Sequence, residues 1–210
     1  MAEIIQLSNV RLSFPNLVEA KLPKGVPNGS AKFNADFILT PDHPDYARFM
    51  QAVKGVAMEK WKEQAMARLN AMQGERRMRC FGDGSEKVNQ TTLKVYDGYE
   101  GMKYISASAN ADSAPVMVRA NGSVCDNGNT MERSTLARKL YGGCFVNVAV
   151  RPWAQDNQFG KAVRCELVAL QFFKDGTPFG EETNVEGMFK AVAPDAAPAA
   201  APAATGFSWA

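Results

Sequence analysis

A chain of 210 residues with 46% hydrophobic side chains is long enough to bury one sizeable core, and 22% charged residues is an ordinary globular figure. The net charge of +2, from 24 basic and 22 acidic residues, neither identifies nor excludes a polyanionic partner, because such binding depends on local clustering. The opening MAEIIQLSNVRLSF lacks the basic-then-apolar pattern of a secretory leader, and no run approaches the roughly 18 apolar residues of a membrane span. A cytoplasmic protein with no membrane partner is expected.

In chain order, Ile5 and Leu7 share one strand parity and Val10, Leu12 and Phe14 the other, which predicts a strand with a bulge near Ser8 and Asn9. Pro15 to Gly29 is dense in turn residues and reads as a loop. Alternation returns with Phe33, Ala35, Phe37 and Leu39 on one face and Lys32, Asn34 and Asp36 on the other. From Pro44 to about Gln73 apolar residues recur at three- and four-residue steps, predicting one long amphipathic helix with a core-facing stripe. Asp42 and Pro44 suit its start and Gly74 its end.

Short strands are then expected at Leu93 to Tyr96, Tyr104 to Ala109, Val116 to Arg119, Cys144 to Arg151 and Ala162 to Phe173. Asn121 to Asn129 reads as a mobile loop, followed by a short helix over Thr130 to Leu140. Many short strands with one long helix favour a mainly β barrel or sandwich. Residues 191–210 hold ten Ala and three Pro, a composition that predicts a disordered tail after a single domain spanning residues 1–190.

Reactive groups are scarce. His43 is the single histidine and sits between two prolines, so it reads as a neighbour of the helix cap, and His-rich metal sites are excluded. No nucleotide-binding glycine loop or nucleophile elbow occurs. Cys80, Cys125, Cys144 and Cys165 form no Cys-x-x-Cys pair and are expected as reduced thiols. Acidic clusters at Asp83/Glu86, Asp97/Glu100 and Glu181/Glu182/Glu186 leave metal-dependent enzyme chemistry as a rival. The expectation is a protein with no enzymatic activity, cofactor or metal.

The informative strand runs from Cys144 to Arg151. Alternation puts Cys144, Val146, Val148 and Val150 on the packed face, and Phe145, Asn147, Ala149 and Arg151 on the other, with Trp153 just beyond Pro152. An aromatic, an amide and a guanidinium on one face can stack a base and meet a phosphate, which is how sequence-tolerant single-strand binding is built. The competing reading packs Phe145 and Trp153 beneath a loop or the helix. Further basic residues interleave with rings: Arg76, Arg77 and Arg79 before Phe81, Lys94 beside Tyr96, Lys103 before Tyr104, and Arg138 and Lys139 before Tyr141.

The segment Val10-Arg11-Leu12-Ser13-Phe14-Pro15-Asn16-Leu17, the Gly82-Asp83-Gly84 turn and Tyr141-Gly142-Gly143-Cys144-Phe145-Val146-Asn147 resemble bacteriophage single-stranded-DNA-binding proteins. Phe159-Gly160-Lys161, Leu167 to Phe172 and Lys174-Asp175-Gly176 continue the likeness, which covers roughly residues 4 to 190. The resemblance implies an oligonucleotide-binding (OB) barrel with insertions that coats exposed strands in phage replication or recombination. Two features depart from the pattern: the long helix follows the second strand, whereas an OB barrel places its helix between the third and fourth, and the tail is not acidic. RNA binding or annealing, and a structural or assembly role through protein contacts, remain alternatives, and self-association into a homo-oligomer is compatible with all of them.

Asp195 is the only formally charged side chain in the last twenty residues, so the tail should compete poorly for a basic groove. Phe207 and Trp209 at its end would instead anchor a replication or recombination protein. Truncation after Lys190 is expected to leave melting temperature and DNA affinity nearly unchanged while removing that partner in a pull-down. A gain of about tenfold or more in DNA affinity would show a competing tail, since a tail worth a tenfold shift contributes about 1.4 kcal/mol.

Overall fold

The computed structural model describes residues 3–22 and 29–180; part of the expected loop at residues 15–29, residues 181–190 and the tail with Phe207 and Trp209 lie outside the described residues. In chain order the elements are β1 (Ile5–Lys21), β2 (Lys32–Leu39), α1 (Pro44–Trp61), α2 (Ala65–Ala71), β3 (Phe81–Asp83), β4 (Lys103–Asn110), β5 (Val116–Val118), α3 (Thr130–Lys139), β6 (Phe145–Asn157) and β7 (Gly160–Lys174). β1 pairs antiparallel with both β2 and β6, β2 with β4, and β6 with β7. A parallel pairing of Ser108 with Glu166 then joins β4 to β7, so β1, β2, β4, β7 and β6 form a barrel-like ring. β3 continues along the edge of β4, and β5 along the edge of β7.

This order resolves the expected departure from the OB pattern. The third and fourth ring strands in sequence are β4 and β6, and the helix between them is the short α3; α1 and α2 are an insertion between the second and third. The inward residues of the ring, among them Leu12, Phe37, Ile105, Val148 and Val150, form one core with Phe49, Val53 and Ala57 of α1. Each of the larger side chains contributes about 1.5–3 kcal/mol on burial, so α1 is held by packing more than by helix propensity.

The expected helix is present with one break, a 3₁₀ turn at Lys62–Gln64 where Lys62 adopts φ +51°. His43 is itself the N-cap: its Nδ1 accepts the Asp45 N–H at 3.2 Å. The bulge predicted near Ser8 and Asn9 is also present, as a register shift between Leu7 and Val10 with Asn9 at φ +54°. A bulge takes backbone donors out of the ladder, and here side chains collect them. Ser8 N–H donates to Asp45 Oδ2 at 2.8 Å and Asn9 N–H to Asn147 Oδ1 at 3.0 Å.

Two strand boundaries differ from expectation. The residues from Pro15 to Lys21 continue β1 instead of forming a loop. Pro15 is tolerated because it falls in a second register shift, between Ser13 and Asn16, where its missing N–H costs no ladder bond. Conversely, Leu93 to Tyr96 is no strand: only an isolated bridge joins Val88 to Val95, and Leu93 has φ +56°. This segment belongs to a crossing from Gly84 to Met102 that folds over the outer side of β2 and β4, closed by the Gly84 N–H to Met102 O bond at 2.7 Å.

The glycines of the Tyr141-Gly142-Gly143 motif have a structural explanation. Tyr141 Oη donates to Asp175 Oδ1 at 2.9 Å and accepts the Gly176 N–H at 3.1 Å, while Phe179 N–H donates to Gly142 O at 3.0 Å. Arg11 donates from Nε to Gly143 O and from Nη2 to Thr177 O, and its guanidinium lies 4.2 Å from the Phe179 ring centroid. Residues 175–179 are thereby strapped across the turn, and a Cβ on Gly143, at φ +110°, would lie 2.2 Å from Thr177 O.

Gly143→Ala is therefore expected to destabilise the fold by about 1–3 kcal/mol, the cost of a strained backbone with a clash. Gly55, inside α1 with nothing within 4 Å of an added Cβ, should respond oppositely, with Gly55→Ala stabilising by about 0.5–1 kcal/mol. Urea denaturation of the two variants measures both; a neutral Gly143→Ala would contradict the strap.

Candidate nucleic-acid interface

On the outer side of β2 and β4 the alternation places Lys32, Asn34, Asp36 and Ile38 on one strand and Tyr104, Ser106, Ser108 and Asn110 on the other, paired across the ladder. The crossing from Gly84 to Met102 divides this face. Its Tyr99 packs on Ile38 and Tyr104 in a second, smaller core. Beneath it Asp36, 8% exposed, accepts hydrogen bonds from Lys87 Nζ, Ser106 Oγ and Tyr99 Oη, the last at 2.9 Å. Burial, reinforced by the Asp36 carboxylate, pushes the Tyr99 phenol far up, so it is a neutral donor at any physiological pH.

Beyond that cover the face is open. A groove of about 490 Å³ is lined by Lys32, Ser108, Asn110, Arg151, Trp153, Gln155, Arg164 and Glu166. Its floor is built by cross-strand register: Arg151 lies opposite Glu166, Trp153 opposite Arg164, and Glu166 meets Ser108. Trp153 is 41% exposed and borders a further recess of about 330 Å³ with Val56, Glu59 and Lys60 of α1. Arg164 is held in place, with Nε donating to Gln155 Oε1 at 3.2 Å and Nη1 to Arg77 O at 2.9 Å. Through that second bond the groove reaches the Arg76–Met78 turn and another recess of about 390 Å³, which includes Arg76, Arg77, Gln90 and Tyr104.

The residues singled out in the sequence divide accordingly. Arg76, Arg77, Arg151 and Trp153 present groups to this surface. Arg79 also borders it, but its guanidinium is taken up by Met72 O, Phe81 O, Gln73 O and both Glu86 oxygens. Tyr104 is 1% exposed, with Lys87 Nζ 4.2 Å from its ring centroid, and burial pushes its phenol up to about 12. Its ring has no free face for a base. Lys103 is ion-paired with Asp83.

Phe145 and Asn147 do point outward, as their parity requires, but at the other end of β6. Lys174 Nζ sits 4.7 Å from the Phe145 ring centroid, and Asn147 bridges Asn9 N–H to Gln171 Oε1, fixing the β1 bulge. Tyr96 packs edge-on against Phe14, and Lys94 is exposed on the crossing above the face. Arg138 and Lys139 end α3, where cations complement the carbonyl terminus, and Tyr141 serves the strap.

Three charged groove residues were not assigned from the sequence: Lys32, Arg164 and Glu166. Parity marks Lys32 and Arg164 as outward, but their shared surface follows from the pairing of β4 with β7. Among the described residues no cluster of three His, Cys, Asp or Glu is arranged to hold a metal ion. Asp83 and Glu86 are instead engaged by Lys103 and Arg79. All four cysteines are free and buried.

The model of the family described as Enterobacter phage Enc34, ssDNA-binding protein, matches residues 3–198. Putative protein p50 of Acyrthosiphon pisum secondary endosymbiont phage 1 is 33% identical over 177 residues, covering 83% of this chain and 85% of its own. In fold, the chain resembles the single-stranded DNA-binding protein of bacteriophage Enc34 solved in complex with ssDNA, with a TM-score of 0.63 at 24% identity over 84% of this chain and 89% of that one. It also resembles gp2.5, a single-stranded DNA-binding protein encoded by bacteriophage T7, with a TM-score of 0.53 at 12% identity over 93% of this chain and all of that one. The chain belongs to the family of phage single-stranded-DNA-binding proteins represented by that of Enterobacter phage Enc34.

Proposed function

We propose that single-stranded DNA runs along the groove over β4, β7 and β6, with phosphates on Lys32, Arg151, Arg164, Arg76 and Arg77 and a base stacked on Trp153. The protein is a single-stranded-DNA-binding protein of phage replication, as its family membership implies. The observation that carries the path is Trp153: an exposed indole flanked by Arg151 on its own strand and by Arg164 across the ladder. Stacking on such a ring is worth about 1–3 kcal/mol per base and tolerates any base, while the cations follow the backbone. Binding of this kind is largely independent of sequence and suits a coat on exposed strands. Among the described residues no helix is long and apolar enough to cross a membrane, and the host cytoplasm during infection is where such strands occur.

Trp153→Ala is expected to lose about 1–3 kcal/mol of binding in a gel-shift titration while the melting temperature holds. Arg164→Ala and Arg77→Ala should each flatten the dependence of log affinity on log salt by about 0.7. Phe145→Ala, at the far end of β6, should weaken binding much less. Matched RNA oligonucleotides in the same titration test whether the groove reads the sugar. Unchanged affinity in Trp153→Ala and Arg164→Ala together would move the binding path elsewhere.

A further inference from the structure

Among the described residues Glu166 is the one acidic side chain that lines the groove, opposite Arg151 in the β6–β7 ladder and beside Ser108 of β4. Its Oε2 lies 3.3 Å from Arg151 Nη1, in a pair whose side chains are 39% exposed for Arg151 and 42% for Glu166. Among the described residues the buried Arg151 Nε has no hydrogen-bond partner, and Glu166 is the ion-pair partner of this groove-lining guanidinium. A surface that only attracts polyanions has no use for a carboxylate there, because it cancels a positive charge at the point of contact.

We propose that Glu166 is an internal competitor of the DNA phosphate: it holds Arg151 in the empty groove and must give it up when the strand binds. The inference rests on the proposed path of the DNA. Binding to the wild-type protein exchanges one anionic partner of Arg151 for another and uncovers the Glu166 charge beside the strand, where it offsets one neutralised phosphate and keeps one condensed cation in place. The net release of counterions is therefore one smaller than the number of phosphates met. Glu166 thus lowers affinity and keeps the coat displaceable, without removing the cation that positions the strand.

The test is a double-mutant cycle on oligonucleotide affinity with Glu166→Gln, Arg151→Ala and the double variant, each checked for an unchanged melting temperature. Glu166→Gln should bind about two- to fivefold more tightly, the scale of an exposed ion pair. It should also steepen the salt dependence by about 0.7, one more counterion released net. The gain should be larger in the wild-type background than in Arg151→Ala, because only there must a pair be broken. An equal gain in both backgrounds would reduce Glu166 to a source of general repulsion, and weaker binding by Glu166→Gln would make it a DNA contact; either overturns the proposal. If Trp153→Ala and Arg164→Ala leave affinity unchanged, the path itself fails, which is a separate result.

Discussion

The parallel meeting of β4 with β7 at Ser108 and Glu166 is the constraint on which the proposed interface depends. Without it β2 and β4 would present a polar face of Lys32, Asn34, Ser108 and Asn110, and β6 and β7 a separate ladder of Arg151, Trp153, Arg164 and Glu166. Closure sets these side by side and turns them into one groove. It is brief because β4 shares that edge: β3 takes Lys103 to Ile105 and leaves only the end of the strand for β7. The short β3 thus fixes where the ring closes, and the turn before it, Arg76–Met78, supplies the rim that Arg164 touches.

The outer face is half covered for a reason that lies in Asp36. A buried carboxylate is costly unless its charge and lone pairs are met, and Lys87, Tyr99 and Ser106 meet them together. Lys87 and Tyr99 come from the crossing, so the crossing is held down over β2 and β4 by polar bonds beneath and by Phe14 and Tyr96 at its margin. What remains open is the stretch from Asn34 and Ser108 toward Trp153. The proposed interface is therefore narrower than an uncovered face of β2 and β4 would offer, and richer in arginine than in free aromatic rings.

Much of this was legible in the residues. Strand parity in Phe33 to Leu39 and Cys144 to Arg151 identified the inner and outer faces, because a period of two survives whatever the strand pairs with. The parity switch at Ser8 and Asn9 announced a bulge that the structure contains. Pro15 misled because its tolerance depends on a register shift that only the partner strand reveals. The same limit applied to the groove proposed as the interface. Trp153 and Arg151 could be named from one strand, whereas Arg164 and Glu166 become their neighbours through a register with β7 that local sequence does not encode. Arg79 and Tyr104 carry the chemistry of a binding residue, but Glu86 takes up the Arg79 guanidinium and the crossing covers the Tyr104 ring with Tyr99 and Lys87.

The central claim is that a base stacks on Trp153, and tryptophan fluorescence reads it directly. Trp61 is buried, its Nε1 donating to Asp156 Oδ2 at 3.1 Å, so in a Trp209→Phe background Trp153 is the indole open to a base. Titration with an oligothymidylate should quench the emission in step with binding, and Trp153→Phe, which keeps a stacking ring, should retain binding but abolish the quench. Binding with no quench, or a quench that persists in Trp153→Phe, would contradict the account.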